Sequence, residues 1–481
     1  MLLLALVSLP AIAAVVSYAA VKRPQQVRIL VATAVAHVAM VVQLWRRPGH
    51  SALGGWLGDD ALGLLVLSLE SMLFLVVATY TVGYLRVEKP RGGRMFVSGL
   101  LAFLSAVSLV SLSQHLAILW VGMEATTLAV APLIYHRRDR HSLEAVWKYL
   151  MLSSVGIAFG LLAVFLMATA QPSLPGVGPL VLPDLLQVAT SLDRWWLRAA
   201  FVFALIGFGT KMGLAPLHTW KPDTYGEAPS LIAGLMSGGL TSCAFLGLAR
   251  FAQVTVAAGE APFMRPLLIA FGLVSLAVAT AFMIGQADLK RLLAYSSVEH
   301  MGLLVLGLGI GGVGVFGTVF HVLNNGLLKG ALFLVVGNLV LASGTSVAAD
   351  MRNIRRRCPR SAVLLVAGLF AVTGTPPFGL FLSEFAMISG AIQTDRLWIA
   401  LVIIAMLAII FVGLAAMMLG LVLAPETPAS DDASQERSES AWLTAGPAVL
   451  VGLVLMLGLY IPPPLQTVLA AAAAALGGRA P

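Results

Sequence analysis

Long apolar runs follow one another along almost the whole chain. In an α-helix, about 20 apolar residues cross a hydrocarbon core about 30 Å thick with every backbone polar group bonded inside the segment. Of the 481 residues, 59% are hydrophobic and 11% are charged, which is far from the balance of a soluble domain. The runs are continuous rather than alternating, and this disfavours the strands of a membrane barrel. The sequence therefore predicts an all-α polytopic membrane protein.

About fourteen runs have the length of membrane helices, and they are numbered 1 to 14 here in chain order. They lie near residues 1–21, 27–44, 60–85, 95–112, 114–135, 148–170, 198–218, 226–250, 266–286, 291–311, 314–342, 361–390, 397–423 and 442–463. Lys22 and Arg23 follow the first run, whereas a secretory signal carries its positive charge ahead of the apolar stretch. We therefore expect the first run to be a retained helix.

Positive residues concentrate in the loops that follow odd-numbered predicted helices. These loops are residues 22–28, 86–94, 137–140, 290–291 and 352–360, and Arg46 and Arg47 are the main exception. By the positive-inside bias, the loops face the cytoplasm and both termini lie on the outer side of a bacterial inner membrane. The positive residues in these loops explain the net charge of +8. We therefore expect no nucleic-acid partner.

Ionisable or amide side chains interrupt several runs where a charge costs about 2.5–3.5 kcal/mol on insertion scales. Such residues are candidates for an ion path. The candidates for proton translocation are Glu124, Lys148, Lys211, His218, Lys290, His300, His321, Asn325, Lys329 and Glu384. Lys148 and Lys290 lie near helix starts, where snorkelling of the side chain to the interface is an equally good explanation.

Two predicted helices carry proline close to one of these residues. In helix 7, Pro216 follows Lys211, and in helix 12, Pro376 and Pro377 precede Glu384. Proline removes a backbone donor and clashes with the preceding turn, so both helices should break. Broken helices are tolerated at membrane depth where they line a polar cavity.

The two breaks lie at corresponding places of two five-helix units. These units are predicted helices 4–8 (residues 95–253) and 9–13 (residues 266–423), and each has its break in its fourth helix. Because five is odd, the second unit would be inverted, and paired interrupted helices point to a transporter's ion path. The other predicted regions are helices 1–3 (1–94), an acidic linker (424–441), and helix 14 with its tail (442–481).

A buried lysine beside a carboxylate can act as a proton switch, because low dielectric favours the neutral amine and a nearby carboxylate favours the ammonium. We expect Glu124 to be the partner of Lys211. His321, Asn325 and Lys329 follow at intervals of four and share one helix face. A static ion pair is the alternative, and it is disfavoured because buried pairs stabilise less well than apolar packing.

Six stretches carry a resemblance to a known family. They are "WVGMEATTL", "SLEAVWKYL", "GTKMGLAPLHTWKPD", "DLKRLLAYSSVEHMG", "FHVLNNGLLKGALFL" and "GTPPFGLFLSEF", within residues 60–390. They resemble the antiporter-like proton-translocating subunits of respiratory complex I (subunits L, M and N) and their relatives in membrane-bound hydrogenases and Mrp-type antiporters. Within this family, the chain looks most like component F of hydrogenase-4.

The resemblance implies a fourteen-helix fold with two inverted five-helix repeats and a half-channel at each broken helix. Glu124 would control the protonation of Lys211. His321 and Lys329 would lie on a central hydrophilic axis, and Glu384 would be the terminal site of the second half-channel.

Three positions depart from the family pattern. Asn325 stands where the family often has histidine, and because an amide carries no proton at neutral pH, transfer there would need water. Glu299 replaces a usually neutral residue, and Glu70 lies outside the pattern. Both glutamates could face lipid or a partner subunit.

The leading hypothesis is a proton-translocating membrane subunit of a redox-driven respiratory or hydrogenase-type complex, without catalytic residues of its own. Cys243 and Cys358 are too few for an iron–sulfur cluster, so we expect no cofactor or metal on this chain. The clusters would lie on peripheral partner subunits, beside other membrane subunits. The alternatives are an Mrp-type sodium/proton antiporter subunit and a structural membrane anchor of an enzyme complex.

Overall fold

The computed structural model describes residues 1–88, 93–172, 180–424 and 439–480. Within these ranges the chain is almost wholly helical, and twelve helices are long and apolar enough to cross a membrane. The prediction of an all-α polytopic membrane protein is confirmed. Most of the predicted linker at 424–441 lies outside the described residues.

The helices follow the predicted order. The N-terminal part holds α1 Leu2–Ala19, α2 Arg23–Arg46 and α3 Ala61–Val87. The first predicted unit holds α4 Gly93–Leu112, α5 Leu116–Ile134, α6 Arg140–Thr169, α7 Leu182–Gln187, α8 Arg194–Met212, α9 Trp220–Glu227, α10 Ser230–Leu235 and α11 Thr241–Ala257. The second holds α12 Ala261–Met283, α13 Leu289–Ile310, α14 Val313–Ser343, α15 Ile354–Arg357, α16 Pro359–Val372, α17 Gly379–Gln393 and α18 Leu397–Leu423. The chain continues with α19 Ala441–Leu459 and α20 Pro463–Ala475.

Smaller elements fill the connections. A five-residue π-helical turn, Met236–Leu240, joins α10 to α11, so the two form one continuous crossing. Strands β1 (Ser51–Ala52) and β2 (Leu57–Gly58) pair antiparallel in the loop before α3. The described part of the chain thus contains all fourteen predicted helices. Twelve are continuous, and predicted helices 7 and 12 are the broken pairs α8–α9 and α16–α17.

The two breaks have clear local causes. Helix α8 ends at Met212 because Gly213 adopts a φ of +77°, a left-handed conformation that glycine tolerates best. Helix α16 ends at Val372, and Gly374 bends the chain with a φ of +62° before the two prolines. The predicted helix breaks at Pro216 and at Pro376–Pro377 are therefore present.

Aspartates fix the starts of three helices near the site. Asp139, Asp193 and Asp288 accept hydrogen bonds from backbone N–H groups in the first turns of α6, α8 and α13. These side chains satisfy donors that the helix itself leaves unbonded. The cap at Asp139 makes α6 begin eight residues before the apolar run predicted from hydropathy.

The interior of the molecule is built from a few enclosed helices. The crossing α10–α11 is buried along its length, α13 nearly so, and α14 and α3 are mostly buried. Helices α1, α2, α18 and α19 expose many apolar side chains, as lipid-facing helices do. Sequential neighbours pack together in the same order in both predicted units. The inverted relation between these units stays a prediction.

Candidate functional site

Lys211 lies in the last turn of α8, directly before the break, and its side chain is fully buried. The C-terminal turn of a helix presents free carbonyls and the negative end of the helix dipole, which favours a cation. The Nζ atom donates to Thr127 Oγ1 at 2.5 Å and to the Tyr149 hydroxyl at 3.0 Å. It also lies 4.8 Å from the centre of the Tyr149 ring, within range of a cation–π contact.

Glu124 reaches Lys211 through a hydroxyl rather than directly. Thr127 lies one turn after Glu124 on α5. Its Oγ1 lies 3.4 Å from a Glu124 carboxylate oxygen and 3.3 Å from the Met123 carbonyl oxygen, and either oxygen can accept its proton. Glu124 is half-buried, whereas Thr127 and Lys211 are buried. These three residues are called the first lysine triad below. Thr127 is not among the residues predicted from the sequence, although its spacing of three from Glu124 places both on one helix face.

A second set of the same three groups surrounds Lys329 on α14. Lys329 Nζ donates to Ser296 Oγ on α13 at 2.5 Å, and that hydroxyl donates to a Glu299 carboxylate oxygen at 3.1 Å. All three side chains are fully buried. These residues are called the second lysine triad. As in the first triad, the hydroxyl lies one helical turn from the carboxylate and stands between it and the lysine.

The suggestion that Glu299 and Glu70 face lipid or a partner is wrong. Both side chains are 1% exposed. Glu299 lies between α13 and α14 within the second triad, and Glu70 accepts a hydrogen bond from Cys243 Sγ at 3.5 Å. The sequence shows only that these carboxylates lie in apolar runs, and the packing of distant helices decides which way they point.

From the second triad, a polar cluster reaches the second helix break. His300 Nδ1 lies 3.0 Å from His321 Nε2, and His321 Nδ1 lies 2.8 Å from Ser383 Oγ. Glu384 follows Ser383 on α17, in the second turn after the break. Among the described residues, His300 Nε2 and Glu384 Oε1 have no hydrogen-bond partner. The predicted His321 and Glu384 are thus brought together, with Ser383 as a partner that the sequence analysis missed.

The same cluster has the composition of a metal site. His300, His321 and Glu384 each offer one ligand atom, and these atoms lie within 4.8 Å of one another. From the sequence we expect no metal on this chain. Because the two imidazoles already hydrogen-bond to each other and to a serine, we interpret the cluster as a chain of proton donors and acceptors.

Two further predicted residues, Asn325 and His218, lie outside the triads and the histidine cluster. Asn325 lies one turn from both His321 and Lys329, and neither polar atom of its side chain has a partner among the described residues. His218 lies buried in the bend between α8 and α9, with its ring 6.3 Å from that of Tyr295. Neither residue forms a direct hydrogen bond to a residue of either triad in the described part of the chain.

Lys148 and Lys290 lie outside both triads. Lys148 is 44% exposed and forms ion pairs with Glu144 at 2.7 Å and Asp223 at 2.8 Å, as expected for a side chain at the membrane interface. Lys290 is buried and donates to two carbonyl oxygens at the end of α9, both at 2.6 Å. None of these contacts joins Lys148 or Lys290 to either triad.

The fold and these contacts define a polytopic membrane protein with Lys211 buried at the first broken helix and Glu384 buried at the second. Residues 113–411 match the transmembrane family of NADH:quinone oxidoreductase and Mrp antiporter proteins, and the chain belongs to this family. It is 33% identical over 413 residues to the hydrogenase-4 component F homolog of Methylacidiphilum infernorum (isolate V4), covering 84% of this chain and 85% of that relative. The resemblance inferred from the motifs is thereby confirmed.

Solved structures share the fold. One is a chain of the membrane-bound sulfane sulfur reductase, an archaeal respiratory membrane complex, with a TM-score of 0.87, 21% identity, and coverage of 99% of this chain and 98% of that chain. Another belongs to the Mrp complex from Dietzia sp. DQ12-45-1b, with a TM-score of 0.86, 20% identity, and coverage of 99% and 96%. At these identities the likeness concerns the fold alone.

Proposed function

We propose that this chain translocates protons as a membrane subunit of a redox-driven respiratory or hydrogenase-type complex and carries no redox catalysis itself. The observation that carries the proposal is the pair of triads, each with a fully buried lysine, and the chain of His300, His321 and Ser383 that leads towards the second break. Ionisable residues in the membrane interior are functional by default, because their burial is costly. Membership of the family and the likeness to a hydrogenase-4 component F homolog support the same conclusion.

In this mechanism the first triad loads a proton and the second passes it on. The carboxylate of Glu124 favours the ammonium form of Lys211 through Thr127. When the charge of Glu124 is neutralised or displaced, the low-dielectric surroundings favour release of the proton inward. The proton then moves through Lys329 and the two histidines to Glu384, and the two helix breaks serve as the entry and exit half-channels.

Other membrane subunits, and peripheral subunits that carry iron–sulfur clusters, are part of this proposal. In the proposed topology both termini lie on the outer side of the cell membrane. The two five-helix units, residues 95–253 and 266–423, would act as the two half-channel modules. Their breaks lie in equivalent helices, α8–α9 and α16–α17.

The decisive test replaces Lys211. The complex, purified through a tag on this chain, is reconstituted into liposomes and supplied with hydrogen or NADH while a pH-sensitive dye reports proton transfer. Lys211→Ala should lower the rate about a hundredfold, because a proton-transfer group contributes about 10²–10⁴. Lys211→Arg should also fail, since arginine does not release its proton at neutral pH. If assembled Lys211→Ala complexes transfer protons at the wild-type rate, the proposed function is wrong. The hypothesis of a structural membrane anchor is then favoured.

The Mrp-type sodium/proton antiporter remains the second candidate, because the chain shares its fold with an Mrp complex component. It would use the same two triads without an electron donor. An imposed sodium gradient separates the two functions. Proton movement driven by sodium alone, and lost in Lys211→Ala, supports the antiporter, whereas movement that requires the donor and ignores sodium supports the redox-driven pump.

A further inference from the structure

A third lysine, Lys221 on α9, is fully buried between the two triads. Its Nζ donates to the carbonyl of Met212, the residue that follows Lys211, at 2.6 Å. The same atom lies 3.5 Å from the carbonyl of Ser297, the residue that follows Ser296 of the second triad. One ammonium group thus spans from the end of α8 to the middle of α13.

Three residues of α9 and α13 near this lysine carry unpartnered hydroxyls. Tyr225 lies one turn further on α9, with its ring centre 5.8 Å from Lys221 Nζ. The side-chain oxygens of Tyr225, Thr224 and Ser297 are buried and have no partner among the described residues. Buried hydroxyls in proteins are bonded to protein or to ordered water. The surroundings of Lys221 therefore supply the groups that a water-assisted proton transfer needs.

The charges that face Lys221 come from three neighbouring segments. Lys329 on α14, His300 on α13 and His218 in the bend after α8 all interact electrostatically with it. When protonated, each of these groups repels the Lys221 ammonium. A purely structural cap on the Met212 carbonyl would need only a neutral donor, and such a donor would avoid this repulsion.

We propose that Lys221 carries protons between the first and the second lysine triad. The inference rests on the proposed function of the two triads. The neutral amine of Lys221 accepts a proton from the Lys211 ammonium through a hydroxyl or water, and then gives one to the neutral amine of Lys329. Each transfer leaves the donor as a neutral amine and consumes nothing else.

The test uses the reconstituted complex with the pH-sensitive dye and compares Lys221→Gln, Lys221→Arg and Lys221→Met. Glutamine keeps a neutral donor for the Met212 carbonyl, and arginine keeps the charge and the donors but does not release its proton at neutral pH. Carriage by Lys221 predicts at least about a tenfold loss of proton transfer in all three, at wild-type content of the complex. A capping role instead predicts that glutamine and arginine retain more than half of the rate, and this result would overturn the proposal.

Two milder variants decide the question if exchanges at Lys221 prevent assembly. Tyr225→Phe and Ser297→Ala remove unpartnered hydroxyls without touching the capped carbonyl. Proton carriage predicts that each slows transfer by about threefold, because a donor or acceptor next to the lysine is lost. Unchanged rates in both would overturn the proposal.

Controls separate this inference from the function on which it rests. Lys22→Met changes an exposed lysine in the loop between α1 and α2 and should leave transfer unchanged. Lys211→Ala must abolish transfer. If Lys211→Ala abolishes proton transfer while the Lys221 variants transfer protons at the wild-type rate, the proposed role of Lys221 is overturned. The proposed function of the two triads is then retained. If Lys211→Ala also pumps, the proposed function itself falls.

Discussion

The two lysine triads use the same chemical groups but differ in how far they are enclosed. In the first, Glu124 is half-buried and lies 3.4 Å from the hydroxyl that links it to the lysine. In the second, Glu299 is 1% exposed and lies 3.1 Å from its hydroxyl. A partly exposed carboxylate exchanges protons and responds to its surroundings more readily than an enclosed one. In the proposed mechanism, this difference assigns loading to the first triad and passage through the interior to the second.

The order of the groups along the helices also differs. On α5, Glu124 precedes Thr127 by three residues, whereas on α13, Ser296 precedes Glu299 by three. These are predicted helices 5 and 10, which cross the membrane in opposite directions in the proposed topology. The reversed order therefore places both carboxylates on the same side of their hydroxyls. This is the arrangement expected if one direction of proton movement is favoured in both units.

The largest difference between the triads should appear when the carboxylates are neutralised. Glu299→Gln should reduce proton transfer about a hundredfold, because an enclosed lysine loses its carboxylate and no solvent replaces it. Glu124→Gln should reduce transfer about tenfold, since this half-buried carboxylate is linked to Lys211 only through the longer contact with Thr127. Both rates are measured per assembled complex in liposomes. Equal losses would show that enclosure does not distinguish the triads.

Removal of the linking hydroxyls should also slow proton transfer more in the second triad than in the first, but by smaller factors. Ser296→Ala disconnects Lys329 from Glu299 and should slow transfer about tenfold, since a hydrogen bond to a charged group contributes about 1.5–3 kcal/mol. Thr127→Val should cost about threefold, because Lys211 keeps its bond to Tyr149. Thr127→Ser, which keeps the hydroxyl, is the matched control. A greater loss in Thr127→Val than in Ser296→Ala would reverse the comparison.

A direct ion pair elsewhere in the chain provides the contrast with both triads. Arg250 on α11 donates to both carboxylate oxygens of Asp60, at 2.7 and 2.5 Å, with no hydroxyl between them. Burial alone would raise the pKa of the Asp60 carboxyl, but the Arg250 guanidinium and the Gln114 amide hold it below its ordinary value. A direct pair of this kind should stabilise the fold without moving protons.

Asp60→Asn should therefore destabilise the chain by about 3 kcal/mol, because Arg250 stays buried without a counter-charge. Proton transfer per assembled complex should remain unchanged. The stabilisation from Asp60 is complete above the ordinary carboxyl pKa of about 4 and is lost as the pH falls through the lower folded-state value. Melting curves of the purified protein should show a larger acid-side loss in wild type than in Asp60→Asn. Reduced transfer in the variant would give Asp60 a role beyond stability.

Local composition alone determined much of this protein. The fourteen helices follow from runs of apolar residues, and the two breaks follow from Gly213, Pro216 and the Pro376–Pro377 pair, because backbone bonding and proline geometry act within a few residues. Lys211 and Lys329 are also visible in the sequence, since a charge inside an apolar run needs a reason.

Only the tertiary structure decided which groups touch these lysines. Thr127 and Tyr149 lie 84 and 62 residues from Lys211, and Ser296 lies 33 residues from Lys329. Hydroxyls are common in membrane helices, and nothing local marks the ones that face a lysine on another helix. The enclosure of Glu299 and the position of Lys221 between the triads arise in the same way, because burial of a side chain depends on the helices that pack around it.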